Sequence, residues 1–237
     1  MNRPQLFLLH FAGGSRYSFD FLREELTGFE LTPLELPGRG KRANDLLIRD
    51  LDAAAEDIYR QIVHSLISMQ FYIYGHSMGA YLALKVTSML ERRGYRPQLL
   101  IVSGNAGPGV HNGKMRHLLD DEAFKEELRL LGGIPEEVLT NEELYAYYEP
   151  ILRADFEVVE GCSAERFSKV STPLLAMMGA EEEDVDQLDN WQQFTSGAFE
   201  TAIFPGGHFF IFSNAAALAK KMLSYRMIVS KNIVTGI

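Results

Sequence analysis

Six short apolar runs punctuate the chain, at Leu6–Phe11, Phe29–Leu36, Phe71–Tyr74, Leu99–Ser103, Leu174–Met178 and Thr201–Phe204. They are near-continuously apolar rather than alternating, the pattern of strands buried on both faces. Between them, Leu51–Met69, Met78–Arg93 and Asn214–Tyr225 carry apolar residues at helical spacing. Strands alternating with amphipathic helices predict an α/β fold, a mostly parallel sheet flanked by helices on both faces. From about His111 to Gly161 the rhythm breaks. Asp121–Leu131, Pro135–Val138 and Glu142–Glu160 read as helices with no strand among them, which predicts a helical insertion of roughly fifty residues. Insertions of that length inside a sheet are usually functional, so a lid is expected rather than a decorative hairpin. No repeat, low-complexity tract or linker divides the chain, and a single domain over residues 1–237 is expected. The tail from Arg226 to Ile237 is apolar and β-prone, and reads as a partner contact or a frayed end.

Composition narrows the function. The chain has 23 Lys and Arg against 32 Asp and Glu, a net charge of −9, with 46% hydrophobic and 23% charged residues. Those shares describe an ordinary globular protein, and the acidic balance argues against a nucleic-acid partner. The single cysteine, Cys162, excludes an intramolecular disulfide and a thiolate metal cluster, fits a reducing cytoplasm and reads as a packing residue. No apolar run approaches the roughly 18–20 residues needed to span a bilayer. Arg3 followed by Leu6–Ala12 loosely imitates a secretory leader, but a buried strand opening into a glycine loop explains the same residues better.

The strongest chemical signal is Gly75-His76-Ser77-Met78-Gly79, which follows one predicted strand and opens a predicted helix. G-x-S-x-G in that context is a nucleophile elbow. The serine sits in a strained turn, and glycines two before and two after let the backbone segments pass closely. Ser77 is therefore the candidate nucleophile, and the amide of Met78, at the helix N-terminus, a candidate oxyanion donor. The order of such sites is serine, acid, histidine. Of six histidines only His208 follows a late strand, through Pro205-Gly206-Gly207, and it is the candidate base. The acid belongs in the loop after Leu174–Met178, where Glu181, Glu182, Glu183, Asp184, Asp186 and Asp189 all qualify by position. The other oxyanion donor is expected from the loop after the first strand, His10-Phe11-Ala12-Gly13-Gly14, most simply the amide of Ala12; the bland alternative is a plain glycine turn. Gly38-Arg39-Gly40-Lys41-Arg42 lacks the spacing of a phosphate loop, and no histidine pair has metal-ligand spacing, so neither a cofactor nor a metal is implied.

Together these residues resemble the type II thioesterases that accompany non-ribosomal peptide and polyketide synthases. The markers are Phe11-Ala12-Gly13-Gly14, Leu36-Pro37-Gly38-Arg39-Gly40, Gly75–Ala80, Leu131-Gly132-Gly133-Ile134-Pro135 with Glu136, Leu152-Arg153-Ala154-Asp155 and Gly206-Gly207-His208-Phe209. They run in family order from residue 6 to about 225. The resemblance implies an α/β-hydrolase fold with a helical lid, and a Ser77–His208–acid triad with the Ala12 and Met78 amides as oxyanion hole. It also implies an acyl substrate held as a thioester on the phosphopantetheine arm of an acyl or peptidyl carrier protein. The family usually has an aspartate three residues after the glycine that ends the sixth strand; here Gly179 puts Glu182 there, with Asp184 the alternative.

Such enzymes clear stalled or wrong acyl groups, while some relatives release medium-chain fatty acids. A carboxylesterase, an acyltransferase and a non-catalytic carrier-binding module are the alternatives. Carrier proteins in this setting are usually acidic, like this chain, so docking is expected to use a local basic patch. Arg39, Lys41 and Arg42 form one such group, and Arg92, Arg93 and Arg96 another. A monomer is the expected state.

Overall fold

The computed structural model describes residues 3–110, 113–160 and 162–235. His111 and Gly161, the expected limits of the insertion, lie outside the described residues, as does the end of the tail at Ile237. All six expected strands are present: β1 (Gln5–Leu9), β2 (Glu30–Pro33), β3 (Phe71–His76), β4 (Leu100–Ser103), β5 (Leu174–Gly179) and β6 (Phe199–Phe204). They form one parallel sheet in the order β2-β1-β3-β4-β5-β6. The four inner strands are buried along their whole length, whereas β2 and β6, with one neighbour each, are partly exposed.

Alternate side chains of β1 feed two different cores. Phe7 and Leu9 join Ile73, Leu100 and the buried faces of α1 (Leu51–Ser65) and α2 (Met78–Arg92). Leu6 and Leu8 face the other way, with Tyr72, Tyr74, Phe19, Leu22 and, from the last helix, Leu218 and Met222. The Asp50 side chain caps α1 by accepting from the Asp52 and Ala53 amides. That helix stops at Ser65 rather than Met69. Gln5 explains the stop, since its side-chain amide takes the Ser65 carbonyl at 2.9 Å and the Ile67 N–H at 3.1 Å.

The insertion is helical as expected, with α3 (Asp121–Leu131), α4 (Glu136–Thr140) and α5 (Glu142–Val159). It has a small core of its own in Phe124, Leu128, Leu139, Tyr145, Leu152 and Phe156. After β6 come the short α6 (Phe210–Ser213) and then α7 (Ala215–Thr235). The tail expected to be β-prone thus continues a helix. Leu218, Ala219, Met222 and Tyr225 anchor the first turns of α7 in the core. Extending a formed helix adds one hydrogen bond per residue, which outweighs the mild strand preference of the β-branched residues beyond.

Strand order reverses between β1 and β3, since the chain goes from β1 outward to β2 and returns to the other side of β1. A crevice at the carboxyl ends of the strands is expected there, because the loops leaving β1 and β3 diverge. The β1 and β3 ends are in register at Leu9 and Gly75. That places His10–Gly14 beside Ser77.

Candidate active site

Ser77 stands between β3 and α2 with φ 55° and ψ −117°. Among the described residues it is the one non-glycine with positive φ. The glycines of the elbow are required by close approach. A Cβ on Gly75 would lie 2.0 Å from the Gly79 carbonyl oxygen, and one on Gly79 would lie 2.2 Å from that of Leu9. The turn is held by Ser77 N–H on the Ser103 carbonyl at 2.7 Å and by the Asn105 side-chain amide on the Ser77 carbonyl at 2.9 Å.

His208 sits where the loop after β6 turns back over the sheet. Its Nε2 is 2.9 Å from Ser77 Oγ and its Nδ1 2.8 Å from Glu182 Oε2. A carboxylate only accepts, so Nδ1 carries the proton and Nε2 accepts from the serine hydroxyl. Glu182 is held on its other oxygen by the Gly179 N–H at 2.8 Å, and its side chain is 8% exposed. Asp184, the alternative acid, accepts instead from the Gln187 side-chain amide at 3.0 Å. The structure therefore brings Ser77, His208 and Glu182 together in one hydrogen-bonded line.

A cavity of about 510 Å³ opens at Ser77, and Ala12, Met78, Glu182, Asp184 and His208 all line it. Tyr81, Val110, Leu131, Phe156, Val159 and Met178 supply apolar wall. A further wall is charged, with Lys114, Arg116, Glu127 and Glu160. Arg116 lies 3.2 Å from both Glu127 and Glu160, and Glu160 also accepts from His117 at 2.8 Å. Two more histidines border the site. His76, fully buried, has Nδ1 2.8 Å from Ser103 Oγ, and burial holds its pKa well below the usual imidazole value. His10 donates from Nδ1 to the Phe11 carbonyl at 2.8 Å and accepts the Leu36 N–H on Nε2 at 3.3 Å. Burial, and then the neighbouring Arg39 charge, push its pKa down to about 4.

With this geometry in place, the comparisons with known proteins are decisive, for residues 4–224 match the family described as Thioesterase domain. The chain belongs to the thioesterase family. It is 32% identical over 218 residues to the gramicidin S biosynthesis protein GrsT of Aneurinibacillus migulanus, covering 89% of this chain and 84% of that one. Thioesterase PikA5 of Streptomyces venezuelae is 30% identical over 207 residues, covering 86% and 74%. Among solved structures, the type II thioesterase YbtT of the yersiniabactin NRPS/PKS pathway superimposes with a TM-score of 0.87 at 28% identity, covering 96% of this chain and 94% of that one. As a thioesterase the chain is a hydrolase acting on thioester bonds, with the α/β-hydrolase fold of its structural neighbours. Among the described residues no helix is long and apolar enough to cross a membrane.

Neither basic group expected at a docking surface stands open beside the thioesterase cavity. Arg39 is buried and makes a two-pronged ion pair with Asp155, at 2.5 and 2.7 Å. Arg42 pairs with Asp57 and Asp45, leaving Lys41 as the exposed member of that group. Arg92, Arg93 and Arg96 are exposed but lie at and beyond the far end of α2, about 20 Å along the helix from Ser77 at 1.5 Å per residue. Sequence reasoning missed the partnership of Arg39 with Asp155. A signal was present, because Asp155 falls on the same helical stripe as Ile151, Leu152 and Val158, and a lone carboxylate on a buried stripe requires a cation.

Proposed function

We propose that Ser77, His208 and Glu182 are the nucleophile, base and acid of this thioesterase. Its substrates are acyl groups carried as thioesters on the phosphopantetheine arm of acyl or peptidyl carrier proteins in non-ribosomal peptide or polyketide assembly. The observation that carries the reading is His208 bonded at once to Ser77 and Glu182 above the cavity. In the first half-reaction Nε2 takes the hydroxyl proton as Ser77 Oγ attacks the thioester carbonyl. Glu182 stabilises the imidazolium through Nδ1–H, and the Ala12 and Met78 amides receive the oxyanion. The C–S bond breaks, His208 returns the proton to the departing thiol, and an acyl-serine remains. Water, deprotonated by His208, then releases the acid and restores the serine.

The names of the relatives support the setting, since they come from peptide and polyketide pathways. Arg116, Glu127 and Glu160 in the cavity wall support short or polar acyl groups over long saturated chains, which would leave those charges dehydrated. The insertion that carries this wall is the proposed lid of a single domain. The buried, unpaired Cys162 fits the cytoplasm as the place of action, and the chain is proposed to work there as a monomer. The test is acyl release from a phosphopantetheinylated carrier across a series of chain lengths, with the intact enzyme and Ser77→Ala. Ser77-dependent release of short acyl groups supports the reading. A sharp optimum at medium chains points to fatty-acid release, and turnover of oxygen esters without thioesters sinks the carrier assignment.

A further inference from the structure

The insertion does more than cover the cavity. We propose that Asp155 on α5, together with Arg39, is a positioning residue for the oxyanion loop, so that this half of the oxyanion hole is complete only when α5 is seated. The inference rests on the triad and oxyanion reading above.

Asp155 is fully buried and receives three donors. Two come from Arg39, and the third is the Gly13 N–H at 2.8 Å, across 142 residues of sequence. Arg39 also reaches the Gly14 carbonyl at 3.2 Å. The pair thus holds the amide of one loop residue and the carbonyl of the next. On the other side of Ala12, the Phe11 carbonyl accepts from the Gly14 N–H at 2.9 Å and from His10 Nδ1 at 2.8 Å. A trans peptide is planar, so fixing the Phe11 carbonyl fixes the direction of the Ala12 N–H. Both peptide units flanking Ala12 are therefore pinned, one by His10 and Gly14 of the same loop and the other by the insertion.

A second contact from α5 falls on the same spot. Gly13 has φ +73°, and a Cβ built there would lie 2.4 Å from Leu152 Cδ2, so the leucine one turn before Asp155 packs directly on the loop. A buried ion pair alone is weak evidence of a stabilising role, because apolar residues of similar size often replace one at little cost. What an apolar pair would not supply is an acceptor for the Gly13 amide. Misplacing the neighbouring oxyanion donor would then weaken binding of the transition state and leave the ground state alone.

The experiment compares Arg39→Met/Asp155→Leu with Arg39→Met/Asp155→Asn. Both remove the buried charge, and only the asparagine retains an oxygen for the Gly13 N–H. Each is assayed on a small acyl thioester that needs no carrier, and for inhibition by an alkyl boronic acid, whose tetrahedral serine adduct occupies the oxyanion hole. The leucine variant is expected to lose about 10- to 100-fold in kcat, short of the full loss of a donor, with KM nearly unchanged. Its boronate Ki should rise by a similar factor, and the asparagine variant should recover most of both. A leucine variant with wild-type kcat and boronate affinity overturns the proposal, as does equal loss in the two variants. Should the leucine variant not fold, hydrogen exchange on the wild-type enzyme decides. Joint opening of Phe11–Gly14 with α5 supports the coupling, and a loop that stays protected while α5 exchanges refutes it. Fluorophosphonate labelling of wild-type Ser77 separates the two failures, since an unlabelled serine sinks the triad reading itself.

Discussion

The edge of the sheet and the insertion above it are built by different physics. At the carboxyl edge of the sheet, Ser77 and Glu182 stand on turns that leave the buried strands β3 and β5 and are held there by backbone groups, while His208 follows the edge strand β6 and is held by the other two. The carbonyls of Gly79 and Leu9 come so close to Gly75 and Gly79 that neither position has room for a side chain. The insertion instead depends on a core of six buried side chains and on ion pairs such as Arg116 with Glu127 and Glu160, and Arg153 with Asp121. The Arg153–Asp121 pair, whose carboxylate is exposed, contributes little and is screened by salt. The proposed triad thus stands mainly on buried strands, and the wall proposed to meet the acyl group is carried by a region with a much smaller core. At Asp155 and Leu152 the two regions touch.

The largest loss is expected at the serine. Ser77→Ala should remove on the order of 10⁶ in kcat while leaving the insertion and the unfolding transition in place, as thioester turnover and thermal melts would reveal. A variant with substantial residual turnover would move the nucleophile elsewhere. Glu182→Gln should cost on the order of 10³ to 10⁴ in kcat by losing support for the imidazolium, and Asp184→Asn only a few-fold. The reverse ranking in steady-state assays would transfer the acid to Asp184.

His10 probes the join between β1 and its loop by pH. Its native pKa, pushed down to about 4, lies below the ordinary value of 6.5, so the neutral imidazole belongs to the folded state. Above pH 6.5 neither state binds the proton and His10 adds no pH dependence. As pH falls from 6.5 towards 4 the unfolded chain binds a proton that the native state refuses, and about 3 kcal/mol of stability is lost. Denaturant titrations should give a shallower acid decline for His10→Gln than for the wild type; parallel curves would contradict the assignment.

The smallest effect is expected in the insertion. Gly133 has φ +80°, and a Cβ there would fall 2.2 Å from the ring of Phe209, the residue after His208. Gly133→Ala should lower stability by about 1–3 kcal/mol through strain and overlap. It should also depress kcat/KM more for longer acyl chains than for acetyl, because Leu131, two residues before Gly133, lines the cavity and would shift with it. Equal effects on every chain length would show that the insertion plays no part in acyl selection.

Much of this molecule was legible in the order of its residues. Hydrophobic period and turn chemistry are local, so six strands, the helical insertion and the glycine-flanked Ser77 could be read directly, and the position of His208 after the last strand followed from the order of the elements. The family markers placed Glu182 three residues after Gly179, but six carboxylates in the same loop were equivalent by local pattern alone. Their separation came from one non-local fact, that the Gly179 amide and His208 meet the two oxygens of Glu182. Arg39 illustrates the converse. Exposure is a property of the folded neighbourhood, and a cation that reads as a surface patch in Gly38-Arg39-Gly40-Lys41-Arg42 lies buried against a carboxylate 116 residues away. The helical tail was misread for a related reason, since propensity weighs single residues while α7 inherits its conformation from the buried turns before it. Short-range sterics and periodicity govern the alternation of elements and the turns on which chemistry could stand, so both are written in the local order of residues. Which acid faces His208, and how α5 reaches the loop after β1, depend on contacts between segments that meet only once the chain has folded.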